Sequence, residues 1–410
     1  MIYKLELPEL TLKRLTDVVY LQMRLLRYAS STSSLSREGC ERYLQKYKRF
    51  RGRHKEIATW LWDGSKRREL LKDFSQGPLS EKLEWSKCLF REAIAFLTNP
   101  IGSITPHRDK SAPDWQKAGV EFLCKFYEYL GKGLPDHFFS EIGASQFSKS
   151  DLRFQFNTSN DRLGVCPACD FSATRAQVDH YLPISLYPHL SCHPFNLVPI
   201  CSECNSLMVK GGNDLLQKDS VNRRNLEDIF LLYQGYGLGE LTYLKIELEK
   251  GYRSINLIEL KPRKGKNLRE CIESYRDAYK IPDRWLEIGR TIENQLFSQI
   301  EQSIRAAKNH QSSLNIFDVD HNFHELLCSL YDNQGRTPFA FPMTWWLATL
   351  IEKEVKPATS SSNPIEVKNF PLLEEIAGWV NQDNIQHPAY ISDPRLDKAR
   401  NLRKIIAEEE

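Results

Sequence analysis

Two cysteine pairs constrain the fold of this chain more than any other feature of its sequence. They are CPAC, with Cys166 and Cys169, and CSEC, with Cys201 and Cys204. A C-x-x-C pair lets both thiolates reach one ion, and two such pairs make a closed tetrahedral zinc site. The stretch between the pairs is longer than in a short zinc ribbon. The sequence therefore predicts a structural Zn²⁺ site that encloses further structure.

The remaining cysteines do not alter that prediction. Ten cysteines in 410 residues are not the signature of a disulfide-stapled mini-domain, and in a reducing compartment paired cysteines indicate metal binding. A redox C-x-x-C is disfavoured because two pairs occur without a thioredoxin-like context. Cys192 has no C-x-x-C partner and is left out of the site. Five cysteines lie in apolar helical patterns and are predicted to be buried small hydrophobes: Cys40, Cys88, Cys124, Cys271 and Cys328.

Composition and charge leave the function open. The hydrophobic fraction of 41% and the charged fraction of 27% are those of an ordinary soluble protein. A net charge of +3 permits a nucleic-acid partner without requiring one. The N-terminal residues MIYKLELPELTLKRL contain no unbroken apolar core, so no secretory signal is expected. The apolar stretch FAFPMTWWLATLI is too short to span a membrane and contains Pro342. We therefore expect a cytoplasmic protein with no membrane partner.

Residue patterns divide the chain into three segments. Residues 1–150 have helical periodicity and are predicted to bind a partner or DNA. Residues 151–286 contain the cysteine pairs, then two predicted strands, LTYLKIELEK and SINLIELKP, and the predicted helix RECIESYRDAY. Residues 287–410 are predicted to be helical again, with a linker-like KPATSSSNP. The predicted fold class is α+β, mostly α.

The stretch between the cysteine pairs carries the residues that indicate chemistry. QVDHYL is a predicted strand that contains Asp179 and His180. A second predicted strand, NLVPI, follows Phe195 and begins at Asn196. Asn205 follows the last cysteine directly, and NSLMVK is expected to begin a helix. The order is strand, loop, strand and helix, with a zinc ion joining the first cysteine pair to the start of the helix.

This order resembles the HNH endonucleases, also called His-Me finger or ββα-metal nucleases, of the kind that carries a four-cysteine zinc site. More narrowly, it is similar to HNH nucleases of prokaryotic restriction and anti-phage defence systems. The resemblance covers about residues 164–214, with a softer similarity to about residue 286. It implies a central zinc-bound, treble-clef-like ββα-metal module flanked by helical regions, and a DNA endonuclease activity.

The resemblance also implies a role for each matching residue. His180 matches the general base that activates water, and Asp179 matches a ligand of the catalytic divalent ion. Asn196 matches the asparagine that braces the loop holding the base. Asn205 matches the second ligand of the catalytic ion, which is expected to be Mg²⁺ or Mn²⁺. The chain departs from many members at Lys210, because SLMV separates it from Asn205; Lys210 is either a phosphate contact or a solvated lysine.

These assignments agree with the needs of phosphodiester hydrolysis. The reaction requires a deprotonated water, neutralisation of charge on the phosphate and help for the leaving oxygen. An imidazole supplies the first near neutral pH, and a hard ion with few oxygen ligands supplies the others. One condition is geometric. Neighbours in a regular strand point to opposite faces, so Asp179 and His180 share a site only if the strand ends or twists there, as Pro183 permits.

An alternative is a non-catalytic zinc module that binds nucleic acid or a protein partner. Such a module needs the cysteines but not Asp179, His180 and Asn205 together. His189 and His193 are either substrate-orienting groups or plain polar loop residues. Because His321 and His324 lack a partner pattern, they are predicted to lie on an ordinary helical surface.

The expected substrate is double-stranded DNA. Two basic segments are candidate phosphate contacts, YKRFRGRHKE at 47–56 and KPRKGK at 261–266. A solvated helix face is the favoured interpretation of the first, and a solvated loop that of the second. A protein partner of a defence system is expected to supply target selectivity.

Overall fold

The computed structural model of the protein describes residues 2–98, 102–107, 111–141, 143–160, 163–171, 177–230, 233, 237–248, 255–263, 268–310 and 316–354. These residues are mostly helical and contain two small antiparallel sheets. The predicted α+β, mostly α fold class is confirmed at this level.

The helices number thirteen among the described residues. They are α1 (Glu9–Ser30), α2 (Arg37–Gln45), α3 (His54–Asp63), α4 (Ser65–Ser75), α5 (Leu79–Thr98), α6 (Asp114–Lys132), α7 (Lys149–Ser159), α8 (Leu238–Leu241), α9 (Arg269–Tyr279), α10 (Asp283–Glu287), α11 (Gly289–His310), α12 (Ile316–Asp332) and α13 (Ala340–Glu354). The strands are β1 (Gln177–His180), β2 (Leu197–Ile200), β3 (Thr242–Leu248) and β4 (Ile255–Pro262).

The chain divides into two compact units. The first unit comprises Lys4–Asp161 and Ala173–Gly235, and the second comprises Met1–Tyr3, Arg162–Ser172 and Tyr236–Glu410. The three segments bounded at residues 150 and 286 stay a sequence-based prediction.

The core of the first unit forms around α1. Leu15, Val18 and Leu25 of this helix are fully buried in one hydrophobic cluster. Buried positions lie on nearly every side of α1, as expected of a helix that neighbouring elements surround. Even its polar Gln22 is buried, and the side-chain amide donates to the Leu123 carbonyl at 3.0 Å.

Local sequence fixes where several of the surrounding helices begin and end. Ser36 caps α2 by accepting a hydrogen bond from the Gly39 N–H at 2.9 Å. Ser148 and Asp151 form a reciprocal capping box at the start of α7, the pattern that satisfies two orphan N–H groups at once. Helix α6 ends just before Gly133, which takes a φ of +97°, a conformation that glycine adopts without steric cost.

The second unit combines the sheet of β3 and β4 with α8–α13. Both predicted strands and the predicted helix after them are present, and Leu244 pairs with Leu260 in an antiparallel register. Helix α13 packs against β3, and the ring centroids of Tyr243 and Trp345 lie 5.9 Å apart. Trp285, Trp345 and Trp346 are among the largest fully buried side chains.

No helix within the described residues is long and apolar enough to cross a membrane.

Candidate functional site

The four paired cysteines come together as the sequence predicts. Cys166, Cys169, Cys201 and Cys204 are buried, none forms a disulfide, and their sulfur atoms all lie within 4.8 Å of one another. Four thiolates at this separation fit a closed tetrahedral Zn²⁺ site. The donor set therefore fits a structural zinc ion and leaves no open coordination position for hydrolysis at that ion.

Hydrogen bonds hold the first cysteine pair in a tight turn. The Asp170 N–H donates to the Cys166 carbonyl at 3.0 Å, and the Cys166 N–H donates to the Phe171 carbonyl at 2.6 Å. The turn closes through Asp170 at a φ of +62°. Burial raises the pKa of the Asp170 carboxyl to about 8. The Tyr3 hydroxyl donates to that carboxyl at 2.5 Å.

The second cysteine pair forms its own turn. The Cys204 N–H donates to the Cys201 sulfur at 3.4 Å, and the Asn205 N–H donates to the Cys201 carbonyl at 3.1 Å. An N–H directed at a cysteine sulfur is an outer-shell contact that orients a metal ligand. The backbone around this pair is thus arranged for the thiolate of Cys201.

The residues after Cys204 form turns, whereas the sequence analysis expects a helix there. Backbone hydrogen bonds from an N–H to the carbonyl three residues earlier recur, as from the Val209 N–H to the Ser206 carbonyl at 3.2 Å. Gly211 has a φ of +46°. Leu207 and Met208 are 91% and 81% exposed. A helix this short needs an apolar face that packs against the rest of the fold, and these two apolar side chains stay exposed instead. The described residues after Cys204 therefore do not show the helix of a ββα-metal module.

Strands β1 and β2 place the Asp-His pair. They are antiparallel, with Asp179 opposite Val198 and His180 opposite Leu197. The side chains of Asp179 and His180 contact different groups, as successive strand residues do. The loop between the strands, residues 181–196, includes short helical turns at Pro188–Leu190 and Pro194–Asn196, and the first of these packs against α1, α5 and α6.

The His180 imidazole is buried and has a defined orientation. Its Nε2 lies 2.9 Å from the Ser191 carbonyl oxygen, and since a carbonyl only accepts, Nε2 carries the proton and Nδ1 does not. The Tyr127 ring covers the imidazole, with the two ring centroids 4.1 Å apart. Burial lowers the pKa of His180 to about 4. The ring is therefore neutral at physiological pH.

Ser191, whose carbonyl orients His180, is itself fixed from the helical core. Its hydroxyl donates to the Leu123 carbonyl at 2.9 Å and accepts from the Gln22 amide at 2.9 Å. Sequence reasoning missed Gln22 and Ser191. Neither belongs to a motif, and only the packing of α1 and α6 against the loop brings them together.

Asn196 is fully buried and spans the loop between the strands. Its Oδ1 accepts from the Leu182 N–H at 2.7 Å. Its Nδ2 donates to the carbonyls of Leu182 and Leu190 at 3.0 and 3.1 Å. These three hydrogen bonds join the segment after His180 to the segment before Asn196, which is a bracing arrangement.

Asp179 and Asn205 have separate partners. The Lys210 ammonium lies 2.8 Å from Asp179 Oδ2 and 2.5 Å from the His180 carbonyl oxygen. Lys210 is only 1% exposed, so it is a buried ion-pair partner rather than a solvated lysine. The Asn205 Nδ2 donates to Gln177 Oε1 at 2.8 Å. Within the described part of the chain, Oδ1 of Asp179 and Oδ1 of Asn205 accept no hydrogen bond.

The two loop histidines differ in their contacts. Both ring nitrogens of His193 are used, because Nδ1 accepts from the Phe195 N–H and Nε2 donates to the Ala93 carbonyl, each at 3.2 Å. Burial lowers the pKa of His193 to about 3. His189 is equally buried, and neither of its ring nitrogens makes a hydrogen bond to a described residue. Its Nε2 lies 3.3 Å from Glu92 Oε2.

His321 and His324 lie on α12, and the predicted surface position is found for the partly exposed His321 but not for the buried His324. His321 forms an i,i+4 pair with Glu325, with 3.3 Å between Nε2 and Oε1, and His324 is 3% exposed. Neither belongs to a metal-binding cluster within the described ranges.

Some side chains of the two basic segments form ion pairs or hydrogen bonds within the protein. Within 47–56, Arg49 pairs with buried Asp17, and Arg53 donates to the His137 carbonyl at 3.1 Å. Within 261–266, Lys261 pairs with Glu259 at 2.9 Å, and residues 264–266 lie outside the described residues. Lys48, Arg51 and Lys55 are exposed.

Comparison with known proteins gives one short match. No family model matches the chain, and no solved structure does. Protein ea31 of Escherichia phage lambda is 48% identical over 40 residues, which cover 10% of this chain and 14% of ea31. The chain thus spans a small part of the length of that relative, and no family membership follows.

Proposed function

We propose that this chain is a metal-dependent endonuclease that hydrolyses phosphodiester bonds of double-stranded DNA, with His180 as the general base. The orientation of the His180 ring carries the proposal. Nε2 is committed as a donor to the Ser191 carbonyl, which leaves Nδ1 as a neutral proton acceptor. A buried imidazole with one nitrogen fixed in this way is prepared to act as a base.

The proposed reaction moves one proton to Nδ1. A water molecule loses that proton as its oxygen forms a bond to phosphorus, and the bond from phosphorus to the leaving oxygen breaks. The leaving oxygen is protonated by solvent. The low pKa of His180 in the free protein, about 4, would rise beside an anionic phosphate. The bond from Nε2–H to the Ser191 carbonyl would strengthen once the ring is charged.

Two oxygen atoms fit a divalent ion. Asp179 pairs with Lys210 through Oδ2, so its Oδ1 can bind an ion. Asn205 donates to Gln177 through Nδ2, so its Oδ1 can bind the same ion. Mg²⁺ or Mn²⁺ commonly binds through one or two carboxylates while keeping several waters. Such an ion would be held by Asp179 and Asn205 and would supply charge neutralisation at the phosphate.

The biological setting is proposed from the sequence resemblance alone. HNH nucleases of prokaryotic anti-phage systems share the order of the cysteine pairs, the Asp-His pair and the two asparagines. We propose the same antiviral role here, with a protein partner that supplies target selectivity. The exposed Lys48, Arg51 and Lys55 would contact the DNA backbone.

One observation favours the non-catalytic alternative, a zinc module that binds nucleic acid or protein. The buried ammonium of Lys210 forms an ion pair with one carboxylate oxygen of Asp179. An ammonium in this position supplies the positive charge that an enzyme would take from a divalent ion. In that case Asp179 and Lys210 would stabilise the fold, and the chain would bind without cutting.

The experiment compares plasmid nicking by wild type, His180→Ala and His321→Ala. His321 is the matched control, because it is a partly exposed histidine of α12 whose side chain pairs only with Glu325 among the described residues. Each protein is tested with Mg²⁺, Mn²⁺ or EDTA, and its zinc content is measured. Double-stranded RNA serves as a second substrate.

The expected result is nicking by wild type and His321→Ala with Mg²⁺ or Mn²⁺. His180→Ala should lose about 10²–10⁴-fold in rate, the usual contribution of a general base, with unchanged zinc content. Equal nicking by wild type and His180→Ala would refute the role of His180. If no protein nicks but all retard DNA in a binding assay with EDTA, the non-catalytic module is the better description.

A further inference from the structure

A second group of metal-binding side chains lies in the first unit, apart from the four cysteines. We call it the Cys88 cluster; it consists of Cys88, Glu92, His107 and His189. Cys88 and Glu92 are one turn apart on α5, so both side chains point to the same side of the helix. The potential ligand atoms of Cys88, Glu92 and His107 all lie within 4.8 Å of one another.

His189 completes the cluster from the loop between β1 and β2. Its side chain is 0% exposed, and Nε2 lies 3.3 Å from Glu92 Oε2. Neither ring nitrogen forms a hydrogen bond to a described residue. A buried polar atom without a hydrogen-bond partner is destabilising, so His189 has a position that an additional ligand would stabilise. His193, four residues later, has both nitrogens satisfied, and no ligand is needed there.

The distances around Glu92 are close to those between the ligands of one metal ion. Bonds of about 2.0–2.3 Å to N, O and S put neighbouring donor atoms about 3.3–3.6 Å apart around tetrahedral Zn²⁺. His189 Nε2 lies 3.3 Å from Glu92 Oε2, which matches such an edge. Cys88 Sγ lies 3.7 Å from the other carboxylate oxygen, Glu92 Oε1. His107 Nε2 is nearer, 2.7 Å from Glu92 Oε2, which is a hydrogen-bond distance that a bound ion would lengthen.

The surroundings hold the potential ligands in place. The Thr105 N–H donates to Glu92 Oε1 at 3.1 Å, and the His107 N–H donates to the Leu186 carbonyl at 2.8 Å. The side chains of Glu92 and His107 are only 12% and 7% exposed. Hydrogen bonds to a ligating carboxylate are typical of the outer shell of metal sites.

We propose that the Cys88 cluster is a second zinc site, distinct from the four-cysteine site. One thiolate, one carboxylate and two imidazoles give four protein ligands, so the site is closed and structural rather than catalytic. The ion would tie α5 to the loop that contains Ser191, whose carbonyl orients His180. The proposal does not depend on nuclease activity, and its test measures none.

The first measurement uses the wild-type chain without any substitution. Protein treated with EDTA and protein reloaded with ZnSO₄ are alkylated with iodoacetamide under reducing conditions, and each cysteine-containing peptide is quantified by mass spectrometry. Zinc should slow the modification of Cys88 at least about tenfold, because a metal-bound thiolate is not available as a nucleophile. Cys328, which is also partly buried and free of disulfides, is the internal control and should react at the same rate in both samples.

The second measurement is the zinc content of variants. Cys88→Ser should hold one zinc ion fewer per chain than wild type, and the matched variant Cys328→Ser should hold as many as wild type. Cys201→Ser separates the two sites, because it should lose zinc without exposing Cys88 to alkylation. The proposal is overturned if Cys88 reacts equally fast with and without zinc, or if Cys88→Ser retains the zinc content of wild type. Should Cys88→Ser fail to fold, the wild-type alkylation rates decide alone.

Discussion

Asn196 offers a quantitative test of how the loop around His180 is held. Asn196→Ala removes three hydrogen bonds at a fully buried position, to the N–H of Leu182 and to the carbonyls of Leu182 and Leu190. Each such bond contributes about 1 kcal/mol, and a buried group left without a partner costs more. We therefore expect the loop to lose about 3 kcal/mol of stability against local opening.

Hydrogen–deuterium exchange of the peptides covering residues 181–196 measures this directly. A loss of about 3 kcal/mol corresponds to roughly 100-fold faster exchange of the loop amides, because 1.36 kcal/mol is a factor of ten. Asn205→Ala is the matched control. It removes one solvent-exposed amide bond to Gln177, and such surface changes stay within about 0.5 kcal/mol, or less than about threefold in exchange.

Asn196 does not hold the loop if the loop amides of Asn196→Ala exchange within about threefold of wild type. In that case the packing of Pro188–Leu190 against α1, α5 and α6, rather than Asn196, holds the loop. Equal acceleration in both asparagine variants would also count against this role of Asn196, because only Asn196 makes bonds inside the loop.

Three further predictions follow from the same region. Lys210→Met should destabilise the protein by about 3 kcal/mol, because it leaves Asp179 without its ion-pair partner; adding Asp179→Asn should restore part of that loss in urea denaturation. Cys204→Ser should hold less zinc and melt at a lower temperature than wild type, whereas Cys124→Ser should match wild type in zinc content. The third concerns pH. The folded-state pKa of His193 is about 3, below its unfolded value. Between about pH 6.5 and pH 3 only the unfolded state therefore binds the proton. The free energy of unfolding falls as the pH falls through that window. Relative to His193→Gln, wild type should lose about 2 kcal/mol between pH 6.5 and pH 5, and an equal pH dependence of the two proteins would show that His193 is not buried in its neutral form.

The sequence predicted those features that depend on spacing along the chain. The C-x-x-C pairs bring four sulfur atoms together because each pair forms a turn, and the predicted strands around Asp179 and Val198 pair because a loop of suitable length joins them. The β3–β4 pair and α9 were likewise readable from alternation and helical periodicity. The coarse fold class followed from the same patterns.

The sequence was misleading where packing, not spacing, decides conformation. NSLMVK has the composition of a helix start, yet Leu207 and Met208 find no surface to cover, and the segment forms turns. Lys210 looked like a phosphate contact or a solvated lysine, and the fold buries it against Asp179. Cys88 was predicted to be a buried small hydrophobe, whereas it is partly exposed and contacts Glu92.

The sequence alone determined that four cysteines can share one ion and that an Asp-His pair ends a strand between them, because both follow from local spacing. The groups that surround these residues depend on how the helices pack in three dimensions. Ser191, Gln22 and Glu92 belong to no motif, and Gln22 and Glu92 contact the loop that contains Ser191 only because α1, α5 and α6 pack around it. A hydrogen-bond partner distant in sequence is set by the packing of whole helices, which no local pattern encodes.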